Sequence, residues 1–310
     1  MDESYVLVLG TSCMDVKGRP SEPLQPGAST PGIIHTSVGG VARNIAENLA
    51  RLGVPTVLLS TVGGDRSGQR ILAQAAQAGI DVSHVLVAPE ATTGTYMALL
   101  DQAGKPAFAL DDMRITAALR PRYIYDHRRL FRDAALVVID ASLRPPALKT
   151  VFRLAKQYRT PVCADPTTAS LAHRMRPHLR DLLLITPNLR EAETLCQMSL
   201  PERNREATLA AAKRLVALGS QIAVITLAER GLCYATSEES GHVPAVRTEI
   251  VDLTGAGDAL AAAVVFALLN DIPVSEAVRL GCSAASLTVA CDRTIVPDLT
   301  IELLYDNLSV

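Results

Sequence analysis

The chain has no tryptophan, and its 7 Tyr and 4 Phe make only 4% of 310 residues. Ligand binding therefore cannot report through tryptophan fluorescence. Excess charge is missing too: 30 Lys and Arg face 32 Asp and Glu, a net charge of −2. Gripping a nucleic-acid polymer needs clustered, uncompensated basic residues, so a nucleic-acid partner is not expected. The six cysteines, Cys13, Cys163, Cys196, Cys233, Cys282 and Cys291, show no C-x-x-C spacing. This argues against a zinc site or a disulfide framework and for buried, reduced thiols. Acids, Asp2 and Glu3, stand where a secretion signal needs bases, so the expected location is the cytoplasm. The apolar stretch Ala259 to Leu269 is too short to span a bilayer, and no membrane partner is expected. No G-x-x-x-x-G-K-[ST] is present, which excludes a P-loop kinase, and no G-x-G-x-x-G follows the first strand, which disfavours a Rossmann oxidoreductase.

What is present is a large apolar fraction, 48%, carried by Ala, Val and Leu. It suffices for a large core. Short β-rich runs alternate with helical periodicity. Strands are predicted at Tyr5 to Gly10, Thr56 to Val62, Ala135 to Asp140, Pro161 to Cys163, Leu182 to Ile185 and Ile222 to Thr226. Helices are predicted at 41–52, near 69–78, 145–157, 189–197 and 206–218, and then near 257–269, 275–290 and 299–307. Strands alternating with helices imply βαβ units and a parallel sheet. Two stretches break the rhythm. Cys13 to Ser37 is rich in Gly, Pro and Ser. Thr93 to Leu100 and Pro106 to Leu110, joined by Asp101-Gln-Ala-Gly104, read as a hairpin that forms a small side sheet. No linker divides the chain, so one domain over 1–310 is expected.

The sharpest local feature is Val251-Asp-Leu-Thr-Gly-Ala-Gly-Asp258 ahead of an apolar helix. Gly255, Ala256 and Gly257 allow a tight turn whose N–H groups converge at a helix N-terminus, a natural anion hole. Asp258 lies in the first turn, where the same field is expected to keep it ionised. An acid beside an anion hole suits phosphoryl transfer, with the carboxylate accepting the proton of an attacking hydroxyl. A second feature is Gly39-Gly40-Val-Ala-Arg-Asn44-Ile-Ala. The glycine pair permits close approach of a ligand, and the Asn44 amide can donate to and accept from a polyhydroxyl compound.

GG-x-x-x-N-x-A followed by D-x-T-G-A-G-D about two hundred residues later resembles the PfkB (ribokinase-like) carbohydrate kinase family, over essentially the whole chain. Thr186-Pro-Asn188-Leu-Arg-Glu191 is similar to its N-x-x-E motif. Val62-Gly-Gly-Asp65-x-x-Gly68 is similar to its G-x-D-x-x-G stretch. Thr226-Leu-Ala-Glu-Arg-Gly231 is similar to its nucleotide-side T-L-G-x-x-G, with Ala228 where Gly is usual. The resemblance implies a three-layer α/β/α fold with a mainly parallel central sheet. It also implies a small β-sheet lid, approximately 12–37 and 92–113. It makes Asp258 the catalytic base and the amides of Gly255, Ala256 and Gly257 the anion hole. Asp15, Gly39, Gly40 and Asn44 form the sugar site, with Cys13 where ribokinase has Asn. ATP falls against Asn188, Thr226, Gly231, Gly255, Gly257 and Cys282. Mg²⁺ is organised by Asn188 and Glu191 through water. Asp252 and Thr254 match one side of a monovalent-cation (K⁺) site. The other side falls at Arg293-Thr294, where the usual Gly-Ala turn is replaced. A lid-to-lid homodimer is also implied.

Four further stretches resemble the pseudouridine-kinase branch of that family: residues 39–53, Leu110-Asp-Asp-Met113, Asp165-Pro-Thr-Thr-Ala-Ser170 and Thr294-Ile-Val-Pro-Asp-Leu299. They favour a nucleoside acceptor phosphorylated on its 5′-hydroxyl. Tyr96 or Phe108 of the hairpin would then pack on the base, and Thr93 or Asp112 would bond its edges. With so few aromatics, hydrogen bonds and aliphatic packing must do most of the base recognition. A ribokinase, another nucleoside kinase and a non-catalytic nucleoside-binding protein stand as the alternatives.

Overall fold

The computed structural model describes residues 4–25, 27–101 and 106–308. β1 (Tyr5–Leu9) is followed by β2 (Cys13–Pro20), β3 (Gly32–Gly39) and α1 (Val41–Arg51). Then come β4 (Thr56–Leu59), β5 (Thr61–Gly63), α2 (Arg66–Gln77), β6 (Leu86–Ala88), β7 (Gly94–Leu100) and β8 (Pro106–Asp112). Two short helices, α3 (Pro121–Asp126) and α4 (Arg128–Asp133), lead to β9 (Ala134–Asp140), α5 (Pro145–Tyr158) and β10 (Val162–Asp165). The chain continues through α6 (Ala169–Ala172), β11 (Leu184–Ile185), α7 (Leu189–Cys196), α8 (Arg205–Ala217), β12 (Ile222–Thr226), β13 (Leu232–Ala235) and β14 (Ser240–Val243). It ends in α9 (Ala256–Leu269), α10 (Val274–Val289) and α11 (Ile301–Leu308).

Eight strands form the central sheet in the order β14-β13-β12-β11-β10-β9-β1-β4. Pairing is parallel from β4 to β12 and antiparallel across β13 and β14. Both faces are covered, so the inner strands are mostly apolar and neighbouring residues enter opposite layers. Val6 and Val8 of β1 join one core with α1, α9 and α10, while Leu7 and Leu9 join the other with α5, α7 and α8. The α9 helix is apolar all round because it is buried between the sheet, α1 and α10. No helix among the described residues is long and apolar enough to cross a membrane.

A second sheet has the order β3-β2-β7-β8. It gathers the two stretches that broke the helix–strand rhythm. The Asp101 to Gly104 turn lies, beyond Asp101, outside the described residues.

Three differences from the sequence expectations have local causes. The run Thr56 to Val62 is two strands, because the chain leaves the central sheet at Ser60. There the hydroxyl donates to Gly10 O (2.6 Å), and β5 goes on to pair with β6. Only Leu184 and Ile185 of the 182–185 run pair as strand. The sheet also extends through β13 and β14 beyond the strands expected from sequence, since Ser240-Gly-His-Val has neither an apolar run nor clean alternation.

Candidate active site

Asp258 sits in the first turn of α9 and is buried. The turn before it depends on Gly255, whose φ of +84° is a left-handed conformation that side chains resist. A Cβ built on Gly257 would meet nothing within 4 Å, so the space beside that residue is open. The three residues expected to form an anion hole, Gly255, Ala256 and Gly257, lie at the N-cap and in the first turn of α9. The expectation that the helix field holds Asp258 ionised is not met. Burial pushes its pKa up to about 8, and the carboxylates of Asp165, Asp15 and Asp140 add to the rise. Desolvation and like charges outweigh the opposing hydrogen bond from Asn44.

That bond runs from Asn44 Nδ2 to Asp258 Oδ2 at 2.7 Å. Its direction is set on the other side of the amide, where Arg43 Nη1 donates to Asn44 Oδ1 at 3.1 Å. Arg43 is itself buried. It donates to Val38 O and pairs with Glu47, which also binds Arg51. Arg51 in turn donates to Pro297 O. A polar ladder on the inner side of α1 therefore fixes Asn44. Arg43, Glu47 and Arg51 carry no signal in the sequence that singles them out, because charges on an amphipathic helix usually face water.

Asp15 lies on β2 and is buried. Burial raises its pKa, against the pull of the Cys13, Lys17 and Arg43 partners. Cys13 Sγ donates to Asp15 Oδ1 at 3.5 Å, so a thiol stands beside the Asp15 carboxylate. A Cβ on Gly39 would collide with the Asp15 carboxylate; this is why glycine is needed there. Gly40 caps α1, and Asn44 N donates to its carbonyl at 2.8 Å.

Register decides which hairpin residues share the Asp15 face. Asp15 is level with Ser37 on β3 and Tyr96 on β7, and Tyr96 is level with Asp111 on β8. These four form one row on one face. Asp112 is level with Thr95, one position out of step, and so lies on the opposite face. There Arg114, through Nε, Nη2 and its backbone N–H, holds the carboxyl down at about 2. Phe108, level with Leu99, also lies on that opposite face. Thr93 is committed elsewhere: its hydroxyl donates to Asp65 Oδ1 (2.6 Å) and accepts from Gly63 N (2.9 Å). Of the four residues expected near a base, Tyr96 alone shares the Asp15 face as a strand residue. Asp111 joins it, and only the parity of the strand pairing identifies it.

The N-x-x-E motif is a capping box. Asn188 accepts from Glu191 N (3.0 Å), while Asn188 N and Nδ2 donate to Glu191 Oε2 (2.8 Å) and Oε1 (2.7 Å). Burial and the nearby Asp165 push the Glu191 carboxyl up. Asn188 also bridges to Thr226, which joins two of the expected nucleotide segments. Ala228 has φ of +52°, so the missing glycine leaves an alanine in a left-handed conformation. Gly231 closes that loop, its carbonyl accepting from Leu227 N at 2.7 Å. Cys282 lies on α10 within the apolar layer shared with α9. Among the described residues no group of three or more His, Cys, Asp or Glu is arranged to hold a metal. Burial raises the pKa of Asp165, Glu191 and Asp258 alike, and neighbouring carboxylates add to it: Asp140 for Asp165, Asp165 and Asp258 for Glu191, and Asp165, Asp15 and Asp140 for Asp258, a local shortage of positive charge. A divalent cation carried in on nucleotide phosphates would relieve it, so these residues fit Mg²⁺ as a companion of ATP. Asp252 and Thr254 do not face open space: Lys17 Nζ donates to both, at 2.5 Å each.

Comparison with known proteins agrees with this geometry. Residues 3–301 match the pfkB family of carbohydrate kinases. The chain is 35% identical over 301 residues to pseudouridine kinase of Escherichia coli K12, covering 97% of this chain and 95% of that one. It is 28% identical over 297 residues to guanosine-inosine kinase of Exiguobacterium acetylicum, covering 95% and 97%. A solved carbohydrate kinase from Agrobacterium tumefaciens superimposes with a TM-score of 0.84 at 27% identity, covering 99% and 97%.

Proposed function

The chain belongs to the pfkB family of carbohydrate kinases, and on that premise we propose that it transfers the γ-phosphoryl group of ATP to the 5′-hydroxyl of pseudouridine. The observation that carries this reading is the Asn44–Asp258 bond. It joins the glycine-pair segment, suited to a sugar, to the helix N-terminus, suited to a phosphoryl group. The choice of pseudouridine is supported by the 35% identity to a pseudouridine kinase along nearly the whole of both chains.

In this account Asp15 and Asn44 hold the ribose hydroxyls, and Gly39 and Gly40 let the sugar approach the backbone. Asp258 takes the proton of the 5′-hydroxyl as its oxygen attacks the γ-phosphorus; the bond to ADP breaks and ADP leaves. The amides at 255–257 hold the charge on the moving phosphoryl group. A base with pKa about 8 is well matched to work near neutral pH. Asn188, Thr226 and Gly231 line the nucleotide side. Mg²⁺, organised by Asn188 and Glu191 through water, would supply charge neutralisation on the phosphates.

The second sheet serves as the lid. Tyr96 and Asp111 face the base from it, and closure would exclude water. Its far face exposes Ile34, Met97, Leu99, Phe108 and Leu110. An apolar face of this kind fits a homodimer joined lid to lid. The six free cysteines suit a reducing compartment, the cytoplasm.

A purine nucleoside or free ribose is the alternative acceptor. ADP release measured side by side with pseudouridine, uridine, ribose and adenosine tests the choice. Binding without turnover would favour a nucleoside-binding protein, a role that would not need Asp258.

A further inference from the structure

We propose that Lys17 is a tethered cation. Its ammonium supplies, from within the chain, the positive charge that a bound monovalent cation would otherwise place beside the anion-hole turn. The inference rests on reading residues 252–258 as the phosphoryl-transfer segment.

Lys17 follows Asp15 by two residues on β2, so strand alternation puts both on one face. Its Nζ lies 2.5 Å from Asp252 Oδ2 and 2.5 Å from Thr254 Oγ1. The other carboxylate oxygen of Asp252 accepts from Thr254 N (2.9 Å) and Thr254 Oγ1 (2.8 Å). Both residues that match half of a K⁺ site are therefore already engaged by the Lys17 ammonium. The pair is no surface bridge: the side chains are 15% and 29% exposed. Burial pushes the Asp252 carboxyl up, yet the Lys17 and Thr254 hydrogen bonds more than reverse this and hold it below its ordinary value. A resident K⁺ does not fit the side chains as they stand.

An ammonium has three donors and the charge of K⁺. It also comes at no binding cost from solution, because β2 delivers it. Thr254 immediately precedes Gly255, so pinning Asp252 and Thr254 fixes the entry to the turn whose amides form the anion hole. The strand that carries Asp15 thereby also locks the phosphoryl-side loop. Lys17 is a positioning residue in this scheme. A cavity of about 1200 Å³, lined among others by Lys17, Asp252, Arg293 and Thr294, opens beside the pair. It would admit an ion if the lysine were shortened or neutralised.

The test compares wild type with Lys17→Met, which keeps length and loses charge. Thermal melts are run without substrates in tetramethylammonium chloride and in KCl at equal ionic strength. A ligand that binds only the folded state raises Tm. The wild type should melt alike in both salts. Lys17→Met should melt lower in tetramethylammonium chloride and be raised, saturably, by KCl. ATP turnover should follow the same pattern: wild type changes less than about twofold, while the variant falls about tenfold or more without K⁺ and recovers with KCl or NH₄Cl, as expected for a restored charge interaction. Lys17→Gln carries the same expectation if methionine is not tolerated. Stabilisation or activation of wild type by K⁺ specifically would overturn the proposal. So would variants that ignore KCl in both measurements. Absence of wild-type turnover with every acceptor would count against the kinase reading, whereas the melts read Lys17 alone.

Discussion

Asn44 Nδ2 donates to Asp258 Oδ2 at 2.7 Å, across 214 residues of sequence. One amide thus touches the acid that would accept the proton, and Arg43 on its far side leaves it only one orientation. Asn44→Ala removes a bond that favours the charged carboxylate. A hydrogen bond to a charged group is worth about 1.5–3 kcal/mol, or about one to two pKa units. The rising limb of activity against pH should therefore move up by about one unit or more, and KM for the sugar should rise. A drop in rate with an unmoved limb would show that Asn44 touches substrate alone.

The pH profile of the wild type follows from the same carboxyl. Burial first, and the Asp165 carboxylate second, raise Asp258 to about 8 in the free protein. The profile of kcat/KM reports free-enzyme groups. Its rising limb should have a midpoint clearly above that of an ordinary carboxylate. A limb complete below pH 5 would contradict the burial argument.

Stability should run the opposite way. The folded pKa of Asp258 lies above its unfolded value near 3.8. Between about pH 4 and about pH 8 the folded state holds a proton that the unfolded state has lost. Stability therefore falls as pH rises through that window. Asp258→Asn carries no such charge. It should melt higher than wild type at pH 8, by an amount that vanishes near pH 4, while losing about a hundredfold or more of its turnover. Near-wild-type activity in this variant would remove Asp258 from the mechanism.

The register of β7 and β8 gives a sharp comparison between adjacent residues. Asp111 shares the face of Asp15 and Tyr96; Asp112 does not. Asp111→Asn should raise KM for the nucleoside about tenfold, the size of one charge-assisted bond. Asp112→Asn should change it less than about twofold. Steady-state kinetics on the two variants decides. The reverse ranking would mean that the base meets the other face.

The parts that were readable in the sequence are those with a strong local signature. Continuous apolar runs, such as Tyr5 to Leu9 within the strand read at Tyr5 to Gly10 and Ala135 to Ile139 within the one read at Ala135 to Asp140, mark strands buried on both faces. The string Gly255-Ala-Gly-Asp258 marks the helix N-terminus. The hairpin was readable as a hairpin, but not which of its side chains face the site, because a one-residue change of register swaps every side chain to the other face. The N-x-x-E pair was readable as a motif, while its mutual capping bonds appear only once α7 is built. The high pKa of Asp258 depends first on its burial and then on Asp165, Asp15 and Asp140, which arrive from β10, β2 and β9, and no local window contains them. Lys17 was invisible for the same reason: its partners lie 235 and 237 residues away.

The most direct test of the central claim is kcat/KM of the wild type for pseudouridine and for uridine in the presence of Mg²⁺ and ATP, with the product identified by phosphorus NMR. The account predicts that pseudouridine is preferred and that the product is its 5′-monophosphate. Equal or greater efficiency with uridine, ribose or adenosine, or phosphate on another hydroxyl, would contradict it.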